Sequence, residues 1–219
     1  MTVNACTKTV LGKVLLRCPS LTLSPGLIYA VVGANGSGKS TFARLVSGVL
    51  PADGGIRVLD GARAVRYMPQ KSYAFRMSAR NNILLAGRDG ARAKELMRAL
   101  RLDGMEGRRA SVLSGGESAK MALARVLMQP CELLILDEPT AAMDMESAAV
   151  SERLILDYRN KHGCAVLLIT HDLHQARRLA DQAFFFHMGE LLEMGPAHKV
   201  LFQPEKAETK KFLDFYGGT

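Results

Sequence analysis

Short apolar runs, each ending in a glycine-rich or polar residue, set the pattern of this chain. Residues 27–32, Val65–Met68, residues 133–136 and Ala165–Ile169 have the length and unbroken hydrophobicity of buried strands. Helical patterns lie between them, which predicts an α/β fold with a largely parallel sheet. Residues 40–50 read as a helix closed by the turn cluster 51–55, Pro-Ala-Asp-Gly-Gly. From about residue 78 to 130 the pattern turns helical and basic, without a convincing strand. Residues 184–186 and 190–194, around Met188-Gly189, predict a terminal hairpin, and Ala207–Tyr216 a closing helix. There is no internal repeat, low-complexity tract or long linker.

Composition adds bounds. With 219 residues and 48% hydrophobic content, the chain suffices for one large domain with its own core. That domain is expected over 1–219, as a core of about 1–70 and 131–219 with an inserted helical subdomain of about 71–130. No apolar run approaches the ~18 residues of a membrane span, and the first residues lack the basic start and apolar segment of a signal peptide. Cys6, Cys18, Cys131 and Cys164 form no CxxC pair, so reduced, buried thiols of a cytosolic protein are expected rather than a metal site. Net charge is +8, and between Lys71 and Arg125 twelve basic residues stand against five acidic ones. A solvated helical surface explains this, as does a face toward anionic lipid or an acidic partner. Nucleic acid is not expected as a partner, because no aromatics interleave with the charges for base stacking.

Four chemistry-bearing segments follow directly on strand-like runs. Gly33-Ala34-Asn35-Gly36-Ser37-Gly38-Lys39-Ser40 fits the phosphate-binding pattern GxxxxGK[ST]. Its glycines let backbone N–H groups approach phosphate oxygens without an intervening Cβ, and the following helix turns its N-terminal dipole on the anion. Lys39 is expected at the β- and γ-phosphates and Ser40 at Mg²⁺, with Asn35, Ser37 and Thr41 completing the phosphate-contacting set. Gln70 follows the second run, Asp137-Glu138 the third, and His171 the fourth. Ligands in open α/β sheets bind outside the carboxyl ends of the strands, so all four deliver polar groups to one edge. Away from these, Leu113-Ser114-Gly115-Gly116-Glu117 opens a predicted helix over 117–128; local chemistry by itself reads it as an ordinary helix cap, whose free N–H groups become an anion site only in the company of the other motifs.

The phosphate loop, the LSGGE segment and the apolar run ending in Asp137-Glu138 together resemble the ATP-binding cassette (ABC) family, over essentially the whole chain. The resemblance implies a RecA-like P-loop NTPase core with a largely parallel sheet, an antiparallel β portion and an inserted α-helical subdomain. It implies an ATPase using ATP and Mg²⁺, with Glu138 as general base, His171 as the switch contacting the γ-phosphate, Gln70 sensing metal and water, and Lys39 on the phosphates. Ser40, Gln70 and Asp137 would hold the metal. Ser114, Gly115 and Gly116 would bind ATP held by a second copy, and Asp144 matches the acid of the intersubunit D-loop. Three departures stand out: Ala141 where the family has Ser, Glu117 where many members have Gln, and Val10 or Leu11 where an aromatic stacks on adenine, which leaves ATP over GTP to the resemblance alone.

The implied assembly is a homodimer bound to transmembrane permease subunits at the cytoplasmic face of the inner or plasma membrane. A periplasmic or extracellular solute-binding protein would act indirectly. Residues 170–181, Met68-Pro69-Gln70-Lys71 and Glu117 look like importers of small oxyanions. Tungstate is the first expectation for the cargo, with phosphate and polar amino acids behind it. An exporter subunit, a non-transport ABC ATPase and a plain P-loop kinase or GTPase are the alternatives.

Overall fold

The computed structural model describes residues 1–71 and 73–217. Its strands are β1 (Thr2–Val3), β2 (Cys6–Val10), β3 (Lys13–Cys18), β4 (Leu21–Thr22), β5 (Ile28–Val32), β6 (Leu59–Asp60), β7 (Val65–Met68), β8 (Leu133–Asp137), β9 (Ala165–Ile169), β10 (Gln182–His187) and β11 (Glu190–Pro196). Its helices are α1 (Lys39–Val46), α2 (Ala79–Leu84), α3 (Gly90–Ala99), α4 (Gly115–Val126), α5 (Met145–His162), α6 (Leu173–Leu179), α7 (Ala197–Val200) and α8 (Ala207–Tyr216).

Eight strands form one sheet in the order β2-β3-β11-β10-β5-β9-β8-β7. From β10 to β7 every neighbouring pair is parallel, while β2/β3 and β10/β11 are antiparallel. A second, antiparallel sheet of β4, β1 and β6 joins the N-terminal segment. Strands β5, β8 and β9 are buried along their whole length, as a parallel sheet covered on both faces requires.

Strand alternation divides the core. Leu134, Leu136, Val166 and Leu168 join one cluster with α2, α3 and α4. Leu133, Ile135, Leu167 and Ile169 face the other way, onto Phe42, Leu45 and Val46 of α1. A third cluster packs α6 and α8 on Ala30, Val32 and Phe185. Helices α2, α3 and α4 lie between β7 and β8 in the chain, with α2 beginning at Ala79. Within this stretch the fully buried Asn82 bonds both the N–H and the carbonyl of Phe75, tying Phe75 to α2. Arg80, Lys94, Arg98 and Arg108 lie exposed there, and all four cysteines are buried free thiols.

Some element bounds differ from expectation for local reasons. Helix α1 stops at Val46 rather than reaching residue 50, because Gly48 turns left-handed (φ 75) and its N–H bonds the Leu45 carbonyl. Helix α4 starts two residues early, since Ser114 is its cap and the glycines are its first turn. No helix of the described residues is long and apolar enough to cross a membrane.

Candidate functional site

The parallel strands β5, β9, β8 and β7 are neighbours, so the residues that follow them meet at one sheet edge. There a cleft of about 400 Å³ is lined by Asn35 to Thr41, Gln70, Asp137 and Glu138, with Leu15 and Ile169 as apolar walls. The phosphate loop leaves β5 through Gly33 (φ 145), Gly36 (φ 77) and Gly38 (φ 105), conformations that L side chains resist. Gly33 is also sterically closed: a Cβ there would overlap the Phe186 carbonyl oxygen and lie 2.8 Å from Ser37 Oγ. The Gly189 N–H donates to the Ser37 carbonyl at 3.0 Å, and the Gly189 carbonyl accepts from Arg17 N–H at 2.7 Å. The turn between β10 and β11 thereby clamps the loop from behind.

Lys39 is buried, and Nζ donates to the carbonyls of Gly33 (2.6 Å) and Ala34 (2.9 Å). Burial lowers its pKa, while Glu138 and Asp137 pull it back up. Burial likewise raises the pKa of Asp137, offset by the Ser40 hydroxyl, Arg44 and Lys39. Asp137 Oδ2 accepts from the Tyr67 hydroxyl at 3.5 Å, and its buried Oδ1 has no hydrogen-bond partner among the described residues. An orphaned carboxylate oxygen beside a serine hydroxyl suits a hard, largely hydrated cation such as Mg²⁺. No cluster of three or more His, Cys, Asp or Glu is present among the described residues, so any such ion would take most of its ligands from water and phosphate.

Glu138 is the geometric exception of the site. It holds a left-handed backbone (φ 54) at the end of β8, and its N–H donates to the Ile169 carbonyl of β9 at 2.9 Å. Its carboxylate is mostly buried, with Oε2 2.7 Å from Nδ1 of the exposed His171. Burial raises its pKa; His171 and Lys39 act in the opposite sense. Strain of this kind persists only where the surroundings fix it, and it concentrates at functional sites.

Of the residues expected at this edge, His171 does not line the cleft itself. It meets the cleft through Glu138 and borders a neighbouring cavity with Thr140 and Asp172. The residues expected to serve a second copy lie elsewhere. Ser114, Gly115 and Gly116 do not line the cleft. Ser114 caps α4 in a reciprocal box: its Oγ accepts the Glu117 N–H at 3.2 Å, and Glu117 Oε2 accepts the Ser114 N–H at 2.7 Å. Gly116 packs so closely on the loop before α5 that a Cβ would lie 3.0 Å from the Ala142 carbonyl. Asp144 also lies outside, as the cap of α5, accepting from Ser147 N–H and Oγ at 2.8 and 3.0 Å. Val10 and Leu11 stand exposed at the β2–β3 turn, and Tyr29 points into the core against Phe184. Leu15 and Tyr67 are site neighbours that sequence reading missed. An apolar strand residue and a strand tyrosine carry no signal of their own.

A family model described as "ABC transporter" matches residues 16–141. The chain is 34% identical to the "Tungstate uptake system ATP-binding protein TupC" of Peptoclostridium acidaminophilum, across 88% of this chain and 97% of that protein. It is 31% identical to the "Phosphate import ATP-binding protein PstB 2" of Natronomonas pharaonis (93% and 82%). It is 35% identical to the "Zinc import ATP-binding protein ZnuC" of Chelativorans sp. (89% and 70%). A solved structure described as the ATP-binding subunit of an ABC transporter superposes with a TM-score of 0.83 at 22% identity, covering 99% of this chain and 98% of that one.

Proposed function

This chain belongs to the ABC transporter family, and from that premise we propose that it is the ATP-hydrolysing subunit of an importer, converting ATP and water to ADP and phosphate. The observation that carries the mechanistic reading is the strained Glu138 of the phosphate-loop cleft, paired with His171.

In this reading the N–H groups from Gly36 to Thr41 and the N-terminus of α1 receive the phosphates. Lys39, anchored on two loop carbonyls, directs its charge at the β- and γ-phosphates. Ser40, with Asp137 and Gln70 acting through water, would hold Mg²⁺, whose charge eases build-up on the phosphate oxygens. Glu138 orients a water in line with the γ-phosphorus and takes its proton. His171 donates Nδ1–H to Glu138, which turns its Nε2 edge toward the γ-phosphate.

Ser114, Gly115 and Gly116, outside the cleft, serve a nucleotide bound by a second copy, so two chains close head to tail over two ATP molecules, with Asp144 at their junction. Residues 71–130 act as a subdomain that moves with Gln70 against a core of 1–70 and 131–219 and drives separate permease subunits. The assembly sits at the cytoplasmic face of the inner or plasma membrane, served indirectly by a solute-binding protein and engaging no nucleic acid. Tungstate is the cargo we favour, supported by the length-matched relative named for its uptake. Phosphate is the second reading, supported by another relative. Uptake of tungstate, phosphate and zinc in cells lacking this subunit separates these readings.

The test of the motor is solution mass of Glu138→Gln with and without Mg-ATP. An ATP-dependent dimer, abolished by adding Ser114→Arg, is expected. A monomer under all conditions, also when the permease is co-expressed, overturns the shared-site reading.

A further inference from the structure

Glu138 departs from ordinary strand geometry and must be held there from both sides. On one side its N–H bonds the Ile169 carbonyl. On the other the chain turns through Pro139 to Thr140, whose carbonyl accepts the Met143 N–H at 2.9 Å. The Thr140 hydroxyl accepts from Nε2 of Gln175 at 2.8 Å. Gln175 is 1% exposed and lies on α6, the helix that opens immediately after His171 and Asp172.

The orientation of this amide is dictated by its second partner. Gln175 Nε2 also donates to Glu152 Oε1 at 3.0 Å, and Glu152 accepts from Arg178 Nη2 through both oxygens at 2.7 and 3.0 Å. A carboxylate only accepts, so the amide must turn its NH₂ toward it. One NH₂ group thus ties the Glu138–Thr140 turn, α5 and α6 together. Its own Oε1 is buried without a partner among the described residues. A side chain kept only for packing would be better apolar, since an orphaned buried carbonyl is costly.

We propose that Gln175 is a positioning residue for ATP hydrolysis: through the Thr140 hydroxyl it holds the turn carrying Glu138 in register with the segment carrying His171. This rests on the reading of Glu138 as the general base. Thr140 and Gln175 sit on the two segments whose separation sets the Glu138–His171 contact of 2.7 Å. Misplacement of a reacting group by about 1 Å costs on the order of a hundredfold in rate, so a loosened turn should lower turnover and leave nucleotide binding alone.

The experiment measures kcat and KM for ATP in the full chain carrying Thr140→Val, Thr140→Ser, Gln175→Leu or the Val/Leu pair, with Glu138→Gln in parallel. Amide hydrogen exchange at Glu138 is followed in every variant. Thr140→Val and Gln175→Leu should each lower kcat about tenfold with KM within about twofold. Thr140→Ser should restore turnover, and the pair should lose no more than Gln175→Leu alone, because both cut one link. Exchange at Glu138 should quicken in both single variants while the β8 amides stay protected. Should Gln175→Leu misfold, Thr140→Val and its serine rescue carry the test alone. Unchanged kcat and unchanged exchange at Glu138 in Thr140→Val overturn the proposal. If Glu138→Gln itself keeps full turnover, it is the general-base reading that falls, while the exchange result still reports on the link.

Discussion

His171 Nδ1 lies 2.7 Å from Glu138 Oε2, joining the carboxyl ends of the neighbouring parallel strands β9 and β8. The pair fixes a pH dependence. As the proposed general base Glu138 would work only when ionised, and burial places its pKa above the ordinary value of 4.5. Turnover should therefore fall, as pH drops, at a higher pH than an exposed glutamate would give. His171 is the largest influence pulling that pKa down. His171→Ala should then move the acid limb of kcat upward in pH, besides lowering its plateau. Profiles of kcat at saturating Mg-ATP from about pH 5 to 9 check this, and an unmoved or lowered limb contradicts the pairing.

Two glycines of the phosphate loop should differ in what alanine does to them. Both have positive φ, so each substitution carries a conformational cost on the order of 1 kcal/mol. Gly36 faces open space, and nothing further is added there. At Gly33 the new Cβ would overlap the Phe186 carbonyl, whose backbone is held by pairing with Leu191 of β11 and by the adjoining Phe185, itself in register with Val32 of β5. Gly33→Ala should cost about 3 kcal/mol or more of stability, against about 1 for Gly36→Ala. Urea unfolding without nucleotide measures both, and equal midpoints would refute the steric argument.

The sheet edge that gathers the site was legible because strands buried on both faces leave unbroken apolar runs, and β5, β7, β8 and β9 each end in a chemically distinctive residue. Helix α8 was legible to its bounds, Ala207–Tyr216. The first strands were not: in β3 only Leu16 and Cys18 are buried, and Val14 and Leu15 lie open, so hydrophobicity does not alternate. Helix α5 was expected only as an unbounded helical pattern between two strands, because its apolar positions are interrupted by the buried Ser147, Ser151 and Glu152. Gln175 carried no signal at all, because a glutamine on a polar helix is indistinguishable from a solvated one until Thr140 and Glu152 close around it.

In the proposed reading the exposed turn between β2 and β3 stands where an aromatic would stack on the base. Val10 is 43% exposed and Leu11 wholly so, and neither offers an aromatic face to a purine. ATP and GTP should therefore compete at comparable concentrations. Val10→Tyr should tighten ATP binding by about 1 kcal/mol, the worth of one aromatic stack. Leu11→Tyr should gain less, since Leu11 sits at φ 48, where a bulky side chain is disfavoured. Displacement of a fluorescent ATP analogue reads all three; strong preference for ATP in the unaltered chain would mean that other groups read the base.

The reciprocal cap of Ser114 and Glu117 separates stability from association. The Ser114 N–H bond holds the Glu117 carboxyl below its ordinary range, so the group is ionised at neutral pH. Near the start of α4 that charge favours the helix dipole by about 0.3–1 kcal/mol, yet it stands beside N–H groups that a partner's γ-phosphate would need. Glu117→Gln keeps an acceptor for Ser114 and should alter folding stability by no more than that amount. It should also strengthen ATP-driven association in the Glu138→Gln background, most at low salt and progressively less as screening grows. Ser114→Ala, which removes the other half of the cap, should cost about 1 kcal/mol of folding stability and weaken association as well. Sedimentation of both variants across a salt series distinguishes the effects. If Glu117→Gln leaves association at low salt unchanged, the carboxylate lies beyond the reach of the phosphate and is a cap alone.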